Sequence, residues 1–148
     1  MSKRIFTKVL ASTVNVQAGV GAEVEQNSIL QWLVQEDIEV IAVSLAICCS
    51  APSENDGFTK LEAEISQVAV AKQDGLILAG VATEGWNTTP AGISETNCNE
   101  SIVFPLGLAV PVKEEGYLHL NAVGVGKSAG VSGYQVVATI FYTKKGSR

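Results

Sequence analysis

The stretch "TKLEAEISQVAV", residues 59 to 70, puts Leu61, Ala63 and Ile65 on one side of an extended chain and Lys60, Glu62, Glu64 and Ser66 on the other. Only a period of two separates the residues this way; wound into a helix, the same charges would scatter around the whole circumference. The stretch predicts a strand with one apolar and one wet face. Alternating or continuously apolar runs of strand length recur along the chain, and none keeps a helical period.

Eight strands are expected, at residues 4 to 17, 28 to 35, 38 to 49, 59 to 71, 75 to 84, 101 to 110, 116 to 125 and 134 to 144. The segments between them, "QAGVGAE", "SAPSENDG", "KQDG", "EGWNTTPAG", "KEEG" and "GKSAGVSG", have the chemistry of turns. Pro105 and Pro111 bracket "LGLAV" and mark that strand as an edge or a bend. Eight strands in 148 residues fit one all-β domain, an antiparallel two-sheet sandwich of the jelly-roll kind, with residues 1 to 10 as an extended arm. An immunoglobulin-like sandwich is the rival. It usually carries two core cysteines flanking a core tryptophan, a spacing that Cys48, Cys98, Trp32 and Trp86 do not match.

Charge bears on partners. Only 17% of the residues are charged while mean hydropathy is +0.25, so a domain this small has surface to hide against other chains, and an oligomer is expected. A net charge of −5 removes the attraction that dominates non-specific nucleic-acid binding. The basic residues gather in "SKRIFTK" and "YTKKGSR", which would form a local patch if the two ends meet. The residues after Lys3, Arg4 and Lys8 are too polar for a signal-peptide core, and "VIAVSLAICC" is about half of a membrane span, so neither secretion nor a membrane partner is expected. Cys48, Cys49 and Cys98 lack the spacing of a zinc site or a disulfide framework; a bridge from Cys98 to one of the pair stays open beside the expectation of buried, reduced thiols. The acceptor patterns "NTT" at 87 to 89 and "NES" at 99 to 101 are read as chance matches in a chain without a secretory signal.

The motifs that suggest chemistry weaken on inspection. In "NAVGVGKSAG" the Gly126-Lys127-Ser128 trio resembles a phosphate loop, but Asn121 stands where that loop needs its first glycine, and strand-like sequence follows where a helix should open. A hairpin connection is the expectation, with Lys127 at its tip. His119 alternates in "YLHLNAV" with Tyr117 and Asn121, on a polar face without an acid or nucleophile at catalytic spacing, so a hydrogen-bonded or solvent-facing histidine is expected. "SENDG" at 53 to 57 carries oxygen ligands but not the spacing of a calcium loop. No cofactor, metal or catalytic residue is assigned. Trp86, Asn87 and Thr88 in "EGWNTTPAG" are the best contact candidates, joined by Lys127 and by Arg4 and Phe6 in the arm.

At "EDIEVIAVSLAI", "VFPLGLAVPVKEEGYLHLNAVG" and "YQVVATIFYTKKG" the sequence resembles the small jelly-roll structural proteins of viruses and phages, capsid decoration or cement proteins among them, a resemblance of style that spans about two thirds of the chain. The resemblance implies a non-enzymatic protein of the virion, assembled in the host cytoplasm. Its implied partners are further copies of itself, often as trimers, and the major capsid protein. The alternative is a carbohydrate- or receptor-binding module that stacks glycans on Trp86, Tyr117, Tyr134 and Tyr142. An enzyme of the cupin kind ranks last, since those hold a metal with several histidines and this chain has one.

Overall fold

The computed structural model describes residues 4 to 17, 23 to 51, 60 to 73, 76 to 82, 100 to 125 and 131 to 145. Eight strands follow one another: β1 (Phe6–Gln17), β2 (Glu23–Leu33), β3 (Ile38–Ala51), β4 (Lys60–Ser66), β5 (Ile77–Ala82), β6 (Glu100–Val112), β7 (Tyr117–Val125) and β8 (Val131–Lys144). They form two four-stranded sheets, ordered β1-β8-β3-β6 and β2-β7-β4-β5, with every pairing antiparallel. This interleaving, in which strands from the two ends of the chain alternate within each sheet, is the jelly-roll strand order.

The period-two pattern builds the core directly. In the first sheet the paired rows Leu10, Ala138, Leu45 and Ser12, Val136, Ile47 point inward. In the second, Leu61, Ala63 and Ile65 of β4 meet Leu118, Leu120 and Ala122 of β7 on the same side. Burying a Leu, Ile or Val side chain is worth about 1.5–3 kcal/mol. Cutting the fully buried Leu45 back to alanine would cost about 2–5 kcal/mol through the cavity it leaves.

The structure amends several expectations. β2 begins at Glu23, well before residue 28, because a register shift between Gln26 and Leu30 lets the strand run on through a bulge in which Ser28 takes φ 51°. β4 stops at Ser66 instead of reaching 71, and residues 67 to 72 turn back over the outer face of their own sheet. The expected arm is shortened, since from Phe6 onward the backbone is paired with β8. β7 and β8 lie in different sheets and do not pair as the hairpin expected of them; the connecting residues 126 to 130 lie outside the described residues. A strand rather than a helix follows them, which removes the phosphate-loop reading.

β6 is both edge and bend, as its prolines require. It pairs only with β3, and between Pro105 and Val110 it outruns its partner by several residues, leaving Leu108 87% exposed. At the end of the sandwich where β1 starts and β8 ends, the β2–β3 loop is tied to the β6–β7 turn. Val34 N donates to Gly116 O at 2.9 Å, and Glu115 N donates to Val34 O at 2.8 Å.

Candidate functional site

Three surfaces of the described residues have distinct chemistry. The outer face of the sheet β1-β8-β3-β6 is assembled row by row from the strand register: Thr7, Phe141, Ala42 and Pro105; Val9, Thr139, Ser44 and Val103; Ala11, Val137 and Ala46; Thr13, Gln135 and Cys48. None of these residues is charged; the next row, Thr143, Glu39 and Pro111, brings a carboxylate to the margin of the face. Val9 is 54% exposed, Val103 63% and Val137 39%, so apolar side chains stand in water across the sheet. Cys48 sits at this face, exposed, contrary to the buried thiol expected of it; its outward register beside Gln135 puts it with Ser44 and Ala46, not with the core.

The outer face of the other sheet is built differently. Gln31, His119 and Ser66 form one row and Glu25, Val123 and Glu62 another, and the row between them pairs Asn121 with Glu64. Residues 67 to 72 roof this face. Asn121 Nδ2 donates to Val68 O at 3.1 Å, Lys72 N donates to Glu64 Oε1 at 2.9 Å, and Ala71 N donates to Asn27 Oδ1 at 2.9 Å. Glu64 and Ser66, expected on the wet side, are thereby buried. Beyond the roof Lys72 bridges Glu23 and Glu62, each at 3.3 Å, which leaves this side of the sandwich acidic.

His119 belongs to that network. Its Nδ1 shares a 2.9 Å hydrogen bond with the Ser28 hydroxyl, and Tyr117 stacks beside the ring at a centroid distance of 5.8 Å. Burial holds the imidazole below its ordinary pKa, since desolvation disfavours the charged ring. The histidine is a hydrogen-bonded structural residue. Among the described residues, no group of three His, Cys, Asp or Glu side chains could hold a metal ion, and no helix is long and apolar enough to cross a membrane.

The third surface is the open seam between the edge strands β1 and β2. Here the two ends of the chain do meet. Phe6 stacks on Tyr142 at 5.7 Å, Arg4 lies 5.3 Å and the Lys144 ammonium 4.5 Å from the Phe6 ring centre, and Lys144 pairs with Glu36 at 2.8 Å. Trp32 reaches across from the other sheet to Tyr142, with ring centres 5.0 Å apart and planes inclined at 51°. A cavity of about 340 Å³ opens beside them, lined by Lys8, Trp32, Gln35, Glu36, Ile38 and Tyr142 among others.

Of the contact residues expected from sequence, Arg4 and Phe6 are brought together at this seam. Trp86, Asn87, Thr88 and Lys127 lie outside the described residues, as do the "SENDG" loop and Cys98. Tyr134, expected as a stacking platform, is fully buried in the core and is withdrawn from that role. Trp32 was not expected. Its signal was available in the shared parity of Leu30, Trp32 and Val34, which sends the indole toward the other sheet, but not in anything that announced Tyr142 as its neighbour.

No protein-family model matches the sequence, and no curated protein matches it. Among solved structures the chain is similar to the decameric BFDV capsid protein, at 7% identity over 96% of this chain and 99% of that one, with a TM-score of 0.47. It is similar to the tomato aspermy virus structure at 12% identity over 92% and 78% of the two chains, TM-score 0.44. A non-viral neighbour comes from pili described as Bacillus endospore appendages, at 12% identity over 98% and 93%, TM-score 0.37. Likeness at this level adds nothing to the functional evidence; the jelly-roll assignment rests on the strand order of the chain itself.

Proposed function

We propose that this protein is a non-enzymatic structural subunit of a virion, a capsid decoration or cement protein or a capsid subunit, working through self-association and contacts with a lattice. The observation that carries the self-association is the outer face of β1-β8-β3-β6, uncharged from the Thr7 row to the Thr13 row with Glu39 at its margin, set against an acidic face on the opposite side of the same sandwich. A second copy laid on the uncharged face meets no like charge, whereas the acidic faces repel one another. The virion setting and the expectation of trimers bound to a major capsid protein come from the resemblance of the sequence segments to small jelly-roll structural proteins.

Size decides what kind of association this is. A patch about four strands wide and seven residues long covers roughly 400 Å², about half of the 800 Å² per partner in a stable pair. Such a face supports association at several weak contacts, as in a shell, better than one tight dimer. Binding that requires the assembled lattice then stabilises the lattice by mass action.

The test is the absolute mass in solution by light scattering across a concentration series, for the native chain and for Val137→Glu. Val137 stands at the middle of the uncharged face, between Ala11 and Ala46. We expect mass to rise with concentration in the native chain and to fall toward the monomer in the variant, with the circular dichroism spectrum unchanged. A native monomer at every concentration would overturn the reading.

A further inference from the structure

We propose that the seam between β1 and β2 is a binding slot for a carboxylated sugar, with Trp32 and Tyr142 as its apolar floor and Lys8 as its anion contact. The site is distinct from the uncharged sheet face, and the inference does not depend on assembly.

The geometry narrows the ligand step by step. Trp32 and Tyr142 are half-buried and inclined at 51°, so they offer tilted walls to one face of a ring instead of a parallel clamp for a flat base. The C–H face of a pyranose suits such walls, and the cavity of about 340 Å³ is at the small end of ligand sites, the size for one or two sugar units. Charge excludes other classes. Arg4 and Lys144 already lie over Phe6, and Lys8 Nζ lies 6.0 Å from the Trp32 ring centre, so a cationic ligand would meet like charge at both Phe6 and Trp32.

An anion is therefore favoured, and its partner is identifiable. Lys144 is engaged by Glu36, while Lys8 has no carboxylate partner among the described residues and its ammonium borders the cavity. The same lining contains the Glu36 carboxylate and the Gln35 amide. With Glu36 already paired to Lys144, Lys8 is left to hold a single carboxylate, and the Glu36 oxygens and the Gln35 amide remain to receive the hydroxyls of the ring. One cation, one carboxylate acceptor and an aromatic floor together match an acidic monosaccharide.

The experiment uses the full chain carrying Trp86→Phe, which leaves Trp32 as its one tryptophan. Its fluorescence is titrated with glucuronic acid and N-acetylneuraminic acid, with glucose and inorganic phosphate as comparisons. Saturation-transfer NMR follows whether the ring protons of the sugar receive magnetisation from the protein's aromatic groups. We expect the acidic sugars to bind at least about tenfold more tightly than glucose or phosphate, the factor of one charge-assisted hydrogen bond. Lys8→Gln, at an exposed position that leaves the fold intact, should abolish that preference. No transfer to either acidic sugar, equal response to glucose or phosphate, or an undiminished preference in Lys8→Gln would each overturn the proposal.

Discussion

Ser28 meets His119 across two strands of one sheet, hydroxyl to Nδ1 at 2.9 Å, from a backbone held at φ 51°. That conformation disfavours any residue with a Cβ, yet the bulge keeps a serine there. The reason is visible in its partners: the same residue's N–H donates to Asn121 Oδ1 at 2.7 Å, so one strained position supplies two bonds to a buried polar row.

Substitution should separate the strain from the bond. Ser28→Ala keeps the unfavourable φ and leaves His119 Nδ1 unpaired, which should cost about 1–3 kcal/mol of stability. Ser28→Gly loses the same bond but recovers about 1 kcal/mol of backbone strain, so it should be the milder change. Urea unfolding of the two variants beside the native chain gives the comparison; a glycine variant less stable than the alanine variant would contradict the strain assignment.

Acidification should weaken the fold through His119. Its folded pKa lies below the ordinary 6.5 because the ring is buried, so the unfolded chain takes up a proton first as pH falls. The contribution is complete above pH 6.5 and is lost progressively as pH drops from there through the folded value. The melting temperature should therefore fall between pH 7.5 and 5.5, and His119→Gln should flatten that part of the profile. An unchanged slope in the variant would assign the effect elsewhere.

The start of β1 should matter to stability as well as to contacts. Removing residues 1 to 5 takes away Arg4 and the exposed Ile5 and should cost no more than about 1 kcal/mol. Removing residues 1 to 8 also strips the pairs Phe6 to Tyr142, Thr7 to Phe141 and Lys8 to Ile140, with the aromatic stack and the Lys144 contact. That deletion should cost at least about 2 kcal/mol. Chemical denaturation of both truncations measures the difference, and equal stability would restore the extended arm expected from the sequence.

The residues made the strands legible because alternation is local. Leu61, Ala63 and Ile65 face the core as their spacing requires, and Pro105 and Pro111 mark an edge that bends. What the residues could not display is how strands are partnered. "GKSAG" joins two adjacent strands in the sequence and two separate sheets in space, and Glu64 and Ser66 lose their water only because residues 67 to 72 fold back from beyond the strand end. The site shows the same limit. Phe6 and Arg4 were readable as an aromatic and basic cluster, but the meeting of Phe6 with Tyr142 and Lys144, and of Trp32 with Tyr142, joins residues more than a hundred positions apart.

The place of β8 also has a bearing on how the molecule comes into being. It lies between β1 and β3, so the last strand in chain order completes a sheet whose other members emerged from the ribosome long before it. Until that strand arrives, β1 and β3 each present an unpaired backbone edge, and the contacts that close the sheet are among the most distant in sequence, which makes closure slow. The sheet thus stays open until β8 is available, and that interval is when stray pairing with a neighbouring nascent chain has its opportunity.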